Sequence, residues 1–382
     1  MKIDRVTLYH LRMSLCTPFE TSFGRIHERE CILLAVRAEG LTGYGECVAD
    51  RDPGYAYETV GTAWHILRDF LVPAVMGQEL TGPADFQARA ARVRGHNMAK
   101  AGLELALWDL AGQRAGRSLR DLLGGARERV EVGVSVGIQP SPDALAETVD
   151  GYLAQGYGRI KIKIKPGHDV VETRAVRRAF PDIRLQVDAN SAYALVPAGA
   201  PASADALLPL DDLNLLLIEQ PLAEDDLWDH SRLQRRFRTP LCLDESIHAV
   251  RHARQALEMA ACRVINIKPG RVGGLGEAVA IHDLCRAAGV PVWCGGMLET
   301  GVGRAANLAL ASLPGFTLPG DISASDRYYA QDITHESFTL NPDSTITVPT
   351  APGLGVTVDT AALARFTVAE LALEAPHTAR HR

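Results

Sequence analysis

The chain has 382 residues, 47% hydrophobic and 23% charged, with a formal net charge of -6. That composition has apolar residues enough for a core and excludes a disordered chain, and its charge excludes a basic protein made for phosphate backbones or anionic membrane surfaces. Seven cysteines, at 16, 31, 47, 242, 262, 285 and 294, form no CxxC pair, so neither a disulfide framework nor a thiolate zinc site is expected.

No apolar run approaches the ~20 residues of a membrane span. The start, Met1-Lys-Ile-Asp-Arg5, lacks the apolar stretch of a secretory signal. A cytoplasmic location is expected, with no nucleic-acid or membrane partner.

Residues 1–125 open with strands predicted at Ile3–Leu11 and Cys31–Ala38. Between them lies Pro18-Phe-Glu-Thr-Ser-Phe-Gly24, read as a loop rich in turn formers and aromatics. A helical region is expected from about Tyr57 to Leu110. Its last helix, Met98–Gly112, carries Leu103, Leu105, Leu107, Trp108 and Leu110 around much of its circumference, so burial between two domains is expected.

From Val130 the pattern changes. Apolar runs at Val130–Ile138, Arg159–Lys163, Arg184–Asp188, Leu215–Glu219, Leu241–Asp244, Val264–Lys268, Val290–Gly296 and Phe316–Asp321 give eight candidate strands. Helices are predicted between them at Asp169–Phe180, Ala204–Leu213, Glu224–Phe237, Ile247–Ala260 and Leu275–Ala288. This alternation implies βαβ units and a closed parallel barrel. Pro197–Pro209, rich in Ala and Pro, reads as a local insertion. After Asp321 a short strand signal at Thr345–Val348 and a closing helix from Thr360 suggest a tail that returns to the N-terminal domain.

Five consecutive runs end in a charge: Lys163, Asp188, Glu219, Asp244 and Lys268, at intervals of 25, 31, 25 and 24 residues. In a parallel barrel the strand carboxyl ends share one face, where catalytic groups meet. One such charge alone is better explained as a helix cap or loop residue. Five at a regular interval are not.

Ile160-Lys-Ile-Lys-Ile-Lys165 alternates strictly, so Lys161, Lys163 and Lys165 share one strand face. An edge strand would leave them in water. In a sheet covered by helices the isoleucines pack outward and send Lys161 and Lys163 into the barrel mouth. Like-charge repulsion, with a nearby metal, is expected to lower the Lys163 pKa from about 10.4 toward neutrality and make it a base. Three carboxylates without histidine suit a hard divalent cation such as Mg2+ or Mn2+. Flanked by two amines, such an ion is a device for removing a proton next to a carboxylate: it stabilises the enediolate while the amines act on opposite faces, as in a racemase.

The stretches Thr17–Gly24, Gly43–Cys47, Arg159–Lys163, Asp188–Asn190, Ile218–Pro221, Leu243–Ser246, Asn266–Gly274 and Gly295–Gly301 resemble the muconate-lactonising subgroup of the enolase superfamily. Within it the chain is most similar to the N-acylamino acid racemase and o-succinylbenzoate synthase family, over nearly its whole length. The resemblance implies an α/β fold, a modified (β/α)7β TIM-like barrel over residues 126–322. An α+β capping domain is implied from residues 1–125, completed by 323–382.

It further implies Asp188, Glu219 and Asp244 as ligands of Mg2+ or Mn2+, with Co2+ a further option. Lys163 and Lys268 are implied as the acid and base pair, Lys161 as the neighbour tuning Lys163, and the segments near Phe19 to Phe23 and Ala49 to Gly54 as substrate lids. A small carboxylate substrate and a homo-oligomer are also implied. Ser135, Asn190 and Met297, with Gly296 beside it, lie near strand ends as candidate substrate contacts, with ordinary barrel packing as the competing account.

Such enzymes racemise N-acyl or N-succinyl amino acids, dehydrate a precursor to o-succinylbenzoate, or do both. Dehydration would use Lys163 alone to move the proton, with Lys268 remaining cationic, whereas racemisation needs both. Racemisation is the preferred expectation, carried by the Asn266–Gly274 and Gly295–Gly301 stretches. The synthase of menaquinone biosynthesis, a dipeptide epimerase or cycloisomerase, and a catalytically silent binding barrel are the alternatives.

Other signals carry less. Gly301-Val-Gly-Arg-Ala-Ala306 lacks the βαβ context of a dinucleotide fingerprint. His248 and His252 have Ala249 where a zinc protease motif needs Glu. Glu224-Asp-Asp226 reads as a solvated first helical turn.

Overall fold

The computed structural model describes residues 1–200 and 202–375. The N-terminal region forms β1 (Ile3–Thr21), β2 (Gly24–Ala38) and β3 (Leu41–Cys47). The central region forms β4 (Arg129–Glu131), β5 (Val134–Val136), β6 (Arg159–Lys163), β7 (Arg184–Asp188) and β8 (Ile218–Glu219). It continues with β9 (Leu241–Leu243), β10 (Val264–Ile267) and β11 (Val292–Cys294). The tail adds β12 (Thr345–Thr347) and β13 (Thr367–Glu374).

Strands β13, β1, β2 and β3 make one antiparallel sheet in that order. The segment expected as a loop at Pro18–Gly24 is instead the end of a long hairpin. After a register shift between Ser14 and Phe19, pairing resumes at Phe19 with Ile26 and reaches Thr21 with Gly24. The aromatic tip is thus carried on strands, which gives it a fixed direction over the barrel.

The predicted helix at Met98–Gly112 forms as Asn97–Ala115. The Glu58 carboxylate accepts from the Met98 and Ala99 amides at 2.8 and 3.2 Å, replacing missing helical partners at its start. Gly116, left-handed at φ 63°, ends it. The helix lies in backbone contact with β3: a Cβ on Gly45 would stand 2.1 Å from the Gly102 carbonyl. Such closeness needs glycine and buries the Leu103, Ala106, Leu107 and Leu110 stripe against Ile32, Leu34 and Val36.

Seven parallel strands form the second sheet, in the order β5 to β11 without interruption. Their register aligns Lys163 with Asp188 and Asp188 with Glu219. Two expectations need correction. The run Val130–Ile138 divides, because Arg129–Glu131 pairs antiparallel with β12 while only Val134–Val136 joins the barrel. The eighth candidate, Phe316–Asp321, forms isolated bridges from Phe316 to Val292 and from Gly320 to Val132. Pro319 has no N–H to give a ladder, so the segment closes the barrel between β11 and β5 without becoming a strand.

The crossover helices come where expected but shorter. Ala204–Asp212 is a 3-10 helix containing Pro209. Leu227–Gln234 starts late because Asp226 caps it by accepting from the Asp229 amide. Among the described residues no helix is long and apolar enough to cross a membrane.

Buried carboxylates of the N-terminal region fasten it to helix starts of the barrel. Glu46 accepts from the Thr300 amide and hydroxyl and the Gly303 amide, and Glu104 from the Leu275 and Gly276 amides. The tail returns through β13, which pairs with β1 from Arg5 with Glu374 to Leu11 with Thr367. Residues 376–382 of the expected returning tail lie outside the described residues.

Candidate active site

Each charged run ends at the same mouth of the barrel. Lys161, Asp188, Glu219, Asp244 and Lys268 are all buried there, and Lys163 nearly so. The Lys163 ammonium donates to Asp188 Oδ2 at 2.6 Å and Asn190 Oδ1 at 2.8 Å. The Lys161 ammonium lies 2.7 Å from Glu219 Oε2, 3.2 Å from Asp188 Oδ2 and 2.6 Å from Asp321 Oδ2. It also sits 4.7 Å over the buried Trp293 ring. The repulsion expected between the two lysines is relieved by the carboxylate they share.

Across the mouth, Lys268 donates to Asp244 Oδ2 at 2.7 Å and to the Tyr55 hydroxyl at 3.1 Å. Tyr55 in turn donates to Asp244 Oδ1 at 2.9 Å, an oxygen that also accepts from Arg271. Asn266 donates to Glu219 Oε1 at 2.7 Å. Asn190 donates to Glu245 Oε1 at 2.8 Å, and the other Glu245 oxygen is buried without a partner.

These contacts set the electrostatics. Burial opposes ionisation of Asp188, but Lys163 and Lys161 overcome it and hold the carboxyl far below its usual range. Asp321 is likewise held low against burial, by Arg159 and Lys161. Glu219 moves the other way, raised by burial and by Asp188. Glu245 is pushed up to about 7 by burial, with Asp188 adding to it. Burial would lower the ammoniums of both Lys161 and Lys268, yet Asp321, Glu219 and Asp188 raise the first and Tyr55, Glu219 and Glu245 raise the second.

A cavity of about 170 Å³ lies between this cluster and the cap. Phe19, Phe23, Ser135, Asn190, Gly296 and Met297, all candidates from the sequence, line it together with Lys161, Lys163 and Lys268. The three carboxylates expected as metal ligands stand behind the ammoniums, and among the described residues no three His, Cys, Asp or Glu side chains form a ready metal site. In chemistry the donors still fit a hard cation, being carboxylate oxygens from three adjacent strand ends, with the unpartnered Glu245 oxygen beside them.

Sequence reasoning missed Tyr55, Arg271, Glu245, Asn266, Trp293 and Asp321. Asp321 carried the same signal as the others, since it ends its apolar run. Tyr55 had only its place beside a predicted lid. Lys165, expected on the shared lysine face, has left the strand and pairs with Glu20 of the hairpin tip at 3.0 Å. The helix-start glycine Gly301 and the histidines His248 and His252 stand outside the cavity wall.

The sequence matches known families along most of its length. Residues 3–124 match the mandelate racemase and muconate lactonizing enzyme N-terminal domain, and residues 144–362 the enolase C-terminal domain-like family. An o-succinylbenzoate synthase of Geobacillus kaustophilus is 52% identical over 368 residues, 96% of either chain. An N-succinylamino acid racemase of Amycolatopsis is 50% identical over 357 residues, covering 93% of this chain and 95% of that one. Among solved structures, an enolase-superfamily member from Listeria innocua superposes with a TM-score of 0.92 at 39% identity, covering 98% and 99% of the two chains. The chain therefore belongs to the enolase superfamily, in its mandelate racemase and muconate lactonizing enzyme branch.

Proposed function

We propose that the protein racemises N-succinyl and other N-acyl amino acids, and that the same site can dehydrate a precursor to o-succinylbenzoate. One observation carries this reading: two ammoniums, Lys163 from β6 and Lys268 after β10, face one cavity from either side of the strands that deliver the carboxylates. A single base would serve an elimination. Two opposed ones suit inversion at a carbon.

In this reading Asp188, Glu219 and Asp244 would hold the divalent cation that membership of the superfamily brings, with Mg2+ or Mn2+ the proposed ion and Co2+ a further one. A bound divalent cation supplies charge stabilisation for the substrate carboxylate as the α-proton leaves. Whichever of Lys163 and Lys268 is in its neutral amine form takes that proton at its Nζ and becomes an ammonium, and the opposite ammonium gives one to the other face and becomes the amine. Lys161 fixes Glu219 and Asp188 from behind through its three carboxylate contacts. Phe19, Phe23 and Met297 cover the apolar part of the substrate and exclude water, and Ser135, Asn190 and Gly296 bound its polar end.

Residues 1–125, closed by the returning tail, are the proposed capping domain and 126–322 the catalytic barrel. A cytoplasmic homo-oligomer acting on a small carboxylate is the proposed setting. The synthase is the second reading, favoured by a relative of that name at the same level of identity.

The test is α-proton exchange. With Mg2+ in D2O the enzyme should deuterate both enantiomers of an N-succinyl amino acid, and Lys163→Ala or Lys268→Ala should abolish inversion. Absence of exchange, together with dehydration of the cyclohexadiene precursor, would move the assignment to the synthase.

A further inference from the structure

The two lysines are held by different parts of the molecule. Lys163 takes its partners, Asp188 and Asn190, from the barrel alone. Lys268 has one partner from the barrel, Asp244, and one from the cap, the Tyr55 hydroxyl. Its ammonium also lies 4.5 Å over the Tyr55 ring. Thus one side chain of the cap touches one of the two proton-transferring groups by an edge and a face at once.

Tyr55 sits on the segment after β3, which is fixed at its root and covered at its tip. Buried Arg29 on β2 donates to the Val48 and Ala49 carbonyls and pairs with Asp50 at 3.1 Å. Gly54 abuts the hairpin tip so closely that a Cβ there would stand 2.7 Å from Phe23 Cδ2. The same Arg29 donates to the Met297 carbonyl of the barrel at 3.2 Å. The contacts that hold the two cap segments over the cavity therefore also hold Tyr55 against Lys268.

We propose that Tyr55 is a face-selective positioning residue: it aims the Lys268 ammonium at the substrate and leaves the Lys163 face untouched. The inference rests on the two-lysine reading above. It predicts a kind of defect that a loosened fold would not give, since a general loss of packing weakens both faces alike. Removing the hydroxyl takes away one partner of a charged group, a bond of the class whose loss shifts a rate about tenfold.

The test follows exchange with retention and with inversion for each enantiomer of N-succinyl-phenylalanine in D2O with Mg2+, by proton NMR at low conversion. Lys163→Ala and Lys268→Ala first identify which enantiomer each lysine deprotonates. Tyr55→Phe is then expected to lower exchange of the Lys268-dependent enantiomer about tenfold, with retained exchange of the other within about twofold of wild type. Tyr55→Leu, which also removes the ring, should give the same selectivity with a larger ratio, and either variant decides the matter if the other does not fold. Equal losses for the two enantiomers in a folded variant overturn the inference and make Tyr55 a support of Asp244 or of the cavity. A wild-type enzyme that exchanges neither enantiomer sinks the two-lysine reading itself, and this inference with it.

Discussion

Replacing Lys161 with methionine keeps most of the side-chain volume and removes one positive charge from a place that water does not reach. From the mouth inward the barrel set is balanced in formal charge: Asp188, Glu219, Asp244, Glu245 and Asp321 face Lys161, Lys163, Lys268, Arg159 and Arg271. Lys161 is the cation shared most widely, with three carboxylates within 3.2 Å. Breaking a buried pair by deleting one partner leaves an uncompensated charge and costs about 3–5 kcal/mol. On the usual unfolding entropy per residue, a chain of this length should lose about 4–6 °C in thermal midpoint.

The assay is calorimetry of the metal-free protein in EDTA at pH 7.5, so that bound cation does not mask the loss. Asp321→Asn alone should also destabilise, because Arg159, Ser135 and Lys161 lose a partner. Combined with Lys161→Met it should recover part of the deficit, with a coupling of about 2 kcal/mol, because the second change removes a charge that the first left unpaired. Acid adds a check of sign. The low Asp321 pKa gives stability that is present above the unfolded carboxyl pKa and lost as pH falls through the folded one. In Lys161→Met that loss should begin at higher pH. Strictly additive losses in the double variant, or a Lys161→Met midpoint within about 1 °C of wild type, would refute the balanced-cluster account.

Mn2+ at a hundredfold excess over its Kd should raise the midpoint by about 3 °C, and Glu219→Gln should remove that rise; calorimetry with and without EDTA checks it. The Glu46 carboxyl, pushed up to about 7 chiefly by burial, favours folding when protonated, so its contribution is complete below about pH 4.5 and lost as pH rises to about 7. Glu46→Gln does not titrate, so its unfolding free energy should gain on wild type through that window, by a limit of about 3 kcal/mol, and a pH-independent difference would contradict this. Gly54→Ala should displace Phe23 and, with Tyr55 next in the chain, lower kcat of racemisation as well as raise KM, about threefold to tenfold in kcat/KM together, which steady-state kinetics on an N-succinyl substrate will show.

The barrel was legible because its signal repeats. Runs of four or five residues ending in a charge mark both the strands and their common face, and Lys163, Asp188, Glu219, Asp244 and Lys268 converge as that pattern requires. Where the pattern misled, a local cause is visible. Pro319 denies the eighth run a ladder, and a hydrophobic run from Val130 hides a change of partner from β12 to β6. The hairpin tip was read as a loop because Pro18 and Gly24 bracket it, yet pairing resumes beyond the irregularity at Phe19.

The site residues that escaped fall into two kinds. Asp321 was readable, since it closes its run as the others do. Tyr55 and Arg271 were not: their place depends on a segment strapped by Arg29 and on a short helix after Lys268, contacts separated by up to 268 residues in sequence. Trp293 was visible only as an apolar residue, and its position beneath Lys161 needs the barrel closed to be seen.

This division has a consequence for how one site supports two reactions. In the proposed scheme dehydration draws its proton transfer from Lys163, whose partners are Asp188 at the end of β7 and Asn190 just past it, both of the barrel. Inversion needs Lys268 too, and its aim depends on a side chain delivered by the cap. Any change that loosens the segment around Tyr55 therefore falls on racemisation first and on dehydration only through water exclusion. In that scheme the ratio of the two activities is set in the cap, at a side chain that joins Lys268 to the Asp244 carboxylate beneath it.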